Sequence, residues 1–111
     1  MNTLRNQVQL IGNLGSDPEI FQFENGNKKA TFSVATNENY VNAKKEKITD
    51  TQWHRVVFFG KTVEIVEKYL KKGKEVAIGG KLTHHDYEDK SGIKRYVTEV
   101  VGNELVLLGS K

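Results

Sequence analysis

Only one segment of this chain, Lys61–Lys72, has a helical period, while its other apolar runs are short and strand-like. That contrast limits the possible folds more than any other feature. On a helical wheel Val63, Ile65, Val66, Tyr69 and Leu70 gather within an arc of roughly 160°. Glu64, Glu67, Lys68, Lys71 and Lys72 take the opposite side, with Glu64/Lys68 and Glu67/Lys71 as i,i+4 pairs in the favourable order. Lysines crowd the C-terminal turn, where the helix dipole favours them, and Gly73 stands where a left-handed cap is wanted.

The remainder reads as strand and turn. Gln7–Leu14 carries Val8, Leu10 and Ile11 and breaks at Gly15-Ser16-Asp17-Pro18, which holds the one proline. Ile20, Phe21 and Phe23 follow, closed by the hairpin signal Asn25-Gly26. From Ala30 the alternation is clean, with Ala30, Phe32, Val34 and Thr36 on one face and Thr31, Ser33 and Ala35 on the other. Asn37–Thr49 has no clear period and is expected to be a long functional loop. Thr51–Phe59 is a further strand. Glu75–Tyr87 is long enough that Gly79-Gly80 predicts a bulge or sharp bend within it. Asp89–Gly92 turns the chain into Ile93–Val101, and Glu104–Leu108 ends it.

Short antiparallel strands leave edges, which a small chain manages by curling into a barrel. The expected fold is therefore all-β: a five-stranded OB-fold Greek-key barrel with one α-helix between strands three and four, in a single domain over residues 1–111. An immunoglobulin-like sandwich has no place for the amphipathic helix.

Composition narrows the function. With 111 residues and no cysteine, disulfide frameworks, thiolate zinc sites and thiol nucleophiles are excluded together. No stretch approaches the ~20 apolar residues of a membrane span. The N-terminal residues resemble neither a secretory signal nor a transit peptide, so a cytoplasmic location with no membrane partner is expected. Lys plus Arg number 17 against 14 Asp plus Glu, a net charge of +3. The lysines cluster at Lys28-Lys29, Lys44-Lys45-Glu46-Lys47 and Lys71-Lys72-Gly73-Lys74, as either a solvated surface or a polyanion-binding one would have them.

The run from Thr51 to Lys61 is the most informative. In a strand Trp53, Arg55, Val57 and Phe59 share one face, and His54, Val56 and Phe58 the other. Arginine is seldom buried unpaired, so an open Arg55 face would present Trp53 and Phe59 as a stacking platform beside a phosphate contact. The alternative puts Trp53 in the core with Arg55 reaching the edge, and alternation alone does not decide between them. Tyr40 near Lys44, Lys45 and Lys47, and Tyr87 opposite Lys94-Arg95-Tyr96, repeat the aromatic–cation pattern. Other chemistry is weak. Neighbours on a strand point to opposite faces, so His84 and His85 make no shared metal site. Asp86, Glu88 and Asp89 would suit a cation-dependent nuclease only at a stretch, and the phosphate-loop pattern is absent. No catalytic residue, metal or cofactor is expected.

Four runs in order, IGNLGSDPE (Ile11–Glu19), TQWHRVVFFGK (Thr51–Lys61), EKYLKKGKEVAIGGKL (Glu67–Leu82) and SGIKRYVTEVV (Ser91–Val101), resemble the bacterial single-stranded DNA-binding protein (SSB) family. The likeness spans about Leu4 to Leu108. It implies an OB-fold that binds single-stranded DNA without sequence choice, catalyses nothing, and assembles as a homotetramer, a dimer of dimers. The work implied is DNA replication, recombination and repair, at the nucleoid. The family's stacking aromatics fall on Tyr40, Trp53, Phe59 and Tyr87, its basic contacts on Arg55, Lys61 and Lys72, and an interface position on His54. Tyr40 and Tyr87 stand where the best-known members carry tryptophan, and His84-His85-Asp86 replaces a basic run. Val8 and Leu10, on a strand whose edge could pair with its twin, are the other candidate interface residues. Typical members continue into an acidic, aromatic-ended tail that recruits replication and repair proteins. This sequence ends at Leu107-Leu108-Gly109-Ser110-Lys111, so recruitment through such a tail is not expected of it. The alternatives are an OB-fold primosomal helper and, less in keeping with the residues, an OB-fold nuclease.

Overall fold

A computed structural model describes residues 4–109. Six strands and one helix follow in the order β1 (Val8–Leu14), β2 (Glu19–Gln22), β3 (Lys28–Val41), β4 (Lys47–Phe59), α1 (Thr62–Tyr69), β5 (Glu75–Glu88) and β6 (Lys94–Leu107). The sheet order is β1-β5-β6-β4-β3-β2, and β1 also pairs with β3 through Asn13↔Ala35 and Leu14↔Val34. That second pairing closes β1, β3, β4, β6 and β5 into a barrel, with β2 as a short addition beside the start of β3. All pairings are antiparallel except β4 with β6, where Val56↔Val100 and Val57↔Val101 run parallel. Counted along the chain over the barrel strands alone, α1 lies between the third and the fourth.

The barrel fills with the inward residues of each strand. Phe32, Val34, Val56, Phe58, Val76, Ile78 and Val100 are buried, and Val63, Val66 and Leu70 plug one end from the helix. Phe32 and Phe58 lie nearly parallel, ring centroids 6.0 Å apart. Gly102 is needed where it stands, because any Cβ there would strike the Phe58 ring. The bulge expected at Gly79-Gly80 is present as a shift of register: Gly79 faces Glu104 and Gly80 faces Gly102, so the extra residue is Asn103 on β6. That shift lets one continuous β6 replace the two strands read from the sequence.

Two further expectations change. The helix is shorter than Lys61–Lys72, because Leu70 turns extended to bury itself and the following N–H groups find other partners. Lys72 N–H donates to Asp17 Oδ1 at 2.8 Å and Gly73 N–H to Leu14 O at 2.9 Å. Glu67 meets Lys28 at 3.5 Å in place of the expected Lys71, and Ile65 and Tyr69 stay exposed. The Asn37–Thr49 loop is instead a β-ribbon with a short tip at Asn42–Glu46. Polar ladders hold it: Thr51 Oγ1 donates to Asn37 Oδ1 at 2.6 Å, and Thr49 Oγ1 to Asn39 Oδ1 at 2.8 Å. Alternation of hydrophobicity has no hold over a ribbon that leaves the core. This ribbon and the β5–β6 hairpin extend the molecule, whose radius of gyration is 16.1 Å against about 13 Å for a compact domain of this length.

Candidate nucleic-acid interface

Strand parity decides which side of β4 faces out. Val56 and Phe58 are core, so Trp53, Arg55 and Phe59 stand on the outer face, and Trp53 is 62% exposed. The core alternative for Trp53 is thereby removed. Val57, on the same face, is buried beside Thr31 and gives the platform a packed floor. Gly15 lies under the indole: a Cβ built on it would overlap Trp53 Cζ3. A recess lined by Ser16, Asp17, Thr31, Ser33, Trp53 and Arg55 opens beside the ring.

The pairing of β4 with β6 and of β6 with β5 carries the same outer face across the barrel. Arg55 is matched by Glu99, and Tyr87 pairs with Arg95 on that face. Tyr87 is exposed there, as are Phe59 and Arg55. Tyr40 is exposed as well, but it pairs with Ile48 and has the parity of Val34 and His54. It therefore sits on the opposite face of the ribbon from Trp53, so the fold gathers Trp53, Arg55, Phe59 and Tyr87 and leaves Tyr40 apart.

Arg55 is not a free cation. Its Nε donates to Glu99 Oε2 at 2.6 Å, and Glu99 Oε1 lies 3.2 Å from His85 Nε2. The Glu99 side chain is 13% exposed, so a nearly buried carboxylate sits between Arg55 and His85. Sequence reading missed Glu99; the i,i+2 spacing of Val97, Glu99 and Val101 on a half-buried strand was the available signal. Lys61 is exposed at the start of α1, and Lys72 is exposed where Asp17 fixes the turn.

The candidate interface residues divide. Val8 and Leu10 are half-buried against the core, so the outward side chains of β1 are Gln9, Ile11 and Asn13. The strand edge is nonetheless open: β1 meets β5 along Val8–Asn13 but touches β3 only at Asn13 and Leu14. His54 is half-buried on the inner side, its Nε2 2.9 Å from Thr36 Oγ1.

Two of the three carboxylates at the β5–β6 tip, Asp86 and Asp89, are taken up by their own hairpin, while Glu88 is exposed. Asp89 accepts from the N–H of Ile93 and Ser91, both at 2.9 Å, and from Arg95 Nε at 2.9 Å. The Ile93 N–H most of all, then Arg95 and Ser91, hold its carboxyl below the usual carboxylate range. Asp86 meets Lys94 at 3.3 Å. Among the described residues no three His, Asp or Glu side chains are placed to share a metal ion, and no helix is long and apolar enough to cross a membrane.

A closed five-stranded barrel with one helix, presenting aromatics and cations together on one outer face, defines the OB-fold class of nucleic-acid-binding domain. Comparison with known proteins gives the particular family. The profile of the single-strand binding protein family matches residues 5–108. A curated relative, single-stranded DNA-binding protein 1 of Xylella fastidiosa (strain 9a5c), is 46% identical over 110 residues, covering 96% of this chain and 79% of that protein. The solved Plasmodium falciparum SSB in complex with ssDNA superposes with a TM-score of 0.87 at 33% identity, covering 94% of this chain and 95% of the other. The chain belongs to the single-strand binding protein family.

Proposed function

We propose that this protein binds single-stranded DNA without sequence choice and protects it, supporting replication, recombination and repair. The observation that carries the reading is the exposed Trp53 on the outer face of β4, in line with Arg55 and Phe59 and continuous with Tyr87 across β6 and β5. Unpaired bases offer π-faces to such rings, while cations meet the backbone; duplex DNA, with its bases stacked inside, offers far less. Tyr40, Lys61 and Lys72 extend the path in this proposal, with Tyr40 reached as the strand wraps round the β3–β4 ribbon.

The protein acts by occupancy rather than by catalysis, as a single domain over residues 1–111, in the cytoplasm at the nucleoid. Capture of Asp86 and Asp89 by Lys94, Arg95 and backbone N–H groups supports a binder over a nuclease. The assembly proposed is a homotetramer built from dimers, with the open β1 edge and the His54 side as contact surfaces, since joined grooves raise avidity without new contacts. Replication and repair proteins are the protein partners in this proposal; the chain end that bears on recruitment, Ser110-Lys111, lies outside the described residues.

Titration of the intrinsic tryptophan emission with a homopyrimidine strand tests the reading directly, because Trp53 is the one tryptophan. Strong quenching by the single strand and little by duplex is expected. Absence of any single-strand binding at low salt would end the proposal.

A further inference from the structure

A row of side chains on β2, β3 and β4 extends the outer face away from Trp53. Register places Phe21 opposite Lys29, and Lys29 opposite Phe59, so all three share one face. Phe21 is 54% exposed although its neighbour Ile20 packs against the core. Phe23 meets Phe21 edge-on, with centroids 4.9 Å apart at 69°. Lys29 Nζ stands 5.9 Å over the centre of the Phe21 ring. Two strand spacings, about 10 Å, separate the Phe21 and Phe59 backbones.

We infer that Phe21, braced by Phe23, is a further base-stacking subsite, and that single-stranded DNA leaving Phe59 crosses Lys29 onto it. The inference rests on the single-stranded DNA reading given above. Three features point to this occupant. The patch is continuous with Phe59 on one face. Register places Lys29 between Phe21 and Phe59, where a phosphate linking two stacked bases would need a cation. The edge-to-face contact with Phe23 also fixes the Phe21 ring, so a base that displaces the Lys29 ammonium from over it pays little for ordering the ring.

The test uses a fluorescently labelled homopolymer dT strand and begins with the unaltered protein. Failure to bind there would defeat the functional reading itself, before any variant is made. If it binds, Phe21→Ala and Phe21→Leu should both weaken affinity about fivefold to tenfold, at the modest end of base–aromatic stacking, while Phe21→Trp keeps it. In the double variant Phe21→Trp/Trp53→Phe, the single indole should be quenched by dT. Unchanged affinity in Phe21→Ala would overturn the inference. So would recovery of affinity by leucine, which needs only apolar bulk. An indole at position 21 that keeps its emission while anisotropy shows the strand bound would also refute it, even if the alanine variant folded poorly. A fall in sedimenting mass with affinity intact would assign the patch to protein–protein contact instead.

Discussion

Replacing Glu99 by Gln should tighten single-stranded DNA binding while slightly destabilising the fold. Glu99 holds Arg55 Nε at 2.6 Å and His85 Nε2 at 3.2 Å, so a phosphate reaching for Arg55 meets a carboxylate already there. A phosphate accepting from the far nitrogens of the guanidinium would lie roughly 7 Å from that carboxylate. Their repulsion is about 0.6 kcal/mol at the dielectric constant of water and about 2.4 kcal/mol at an effective value near 20. The Arg55 side chain is 53% exposed, so an intermediate figure near the lower end, about 1 kcal/mol or fivefold in affinity, is expected. One more effective cation should also steepen the log–log salt dependence by about 0.7. Loss of the ion pair itself costs roughly 0.5–1 kcal/mol, a fall in Tm of about 3–5 °C. Fluorescence titrations across a salt series, with thermal melts, read both effects. Gln keeps the shape and one acceptor, so Arg55 need not move far. In an Arg55→Gln background the gain should largely vanish, since no cation remains to be released. Equal or weaker binding by folded Glu99→Gln would refute the reasoning and make Glu99 a group that orients Arg55 for phosphate.

Gly15→Ala should push the Trp53 ring off its seat, shifting its emission maximum and weakening single-strand binding severalfold with Tm nearly unchanged, because the ring can swing into solvent; wild-type emission and affinity would count against it. Acidification should loosen the β5–β6 tip. The Asp89 carboxyl is held below its ordinary range, chiefly by the Ile93 N–H, so its stabilisation is complete above the unfolded value and lost as pH falls through the folded one. Amide exchange at Ser91 and Ile93 should therefore stay slow from neutrality to about pH 5 and rise, beyond intrinsic rates, below about pH 4; protection that persists unchanged in acid would contradict this. His54→Asp, which places an anion half-buried beside Thr36, should lower the sedimenting mass from near four chains before the barrel melts. A stable monomer for the unaltered chain at high concentration would remove the assembly proposal and leave DNA binding standing.

Local pattern alone determined much of this protein. The alternation of Ala30, Phe32 and Val34, the turn at Asn25-Gly26, the glycine pair inside a long strand and the lone amphipathic segment each reflect a period or a backbone need of a few residues, and together they specify a small barrel with one helix. The motif runs added the residues proposed to meet nucleic acid. Tertiary structure decided what local pattern leaves open. Strand 51–59 is apolar on both faces, and only closure of the barrel around Val56 and Phe58 turns Trp53 outwards. The ribbon at 37–49 is held by Asn–Thr pairs across strands, which no hydrophobic period reports. The helix stops early because Leu70 and the N–H groups of Lys72 and Gly73 find partners on distant residues. Arg55 and Glu99 are 44 residues apart in sequence and meet only because β4 and β6 lie parallel in the closed sheet. Periodicity records which side of an element must avoid water, whereas pairing between distant strands sets which charges and rings become neighbours.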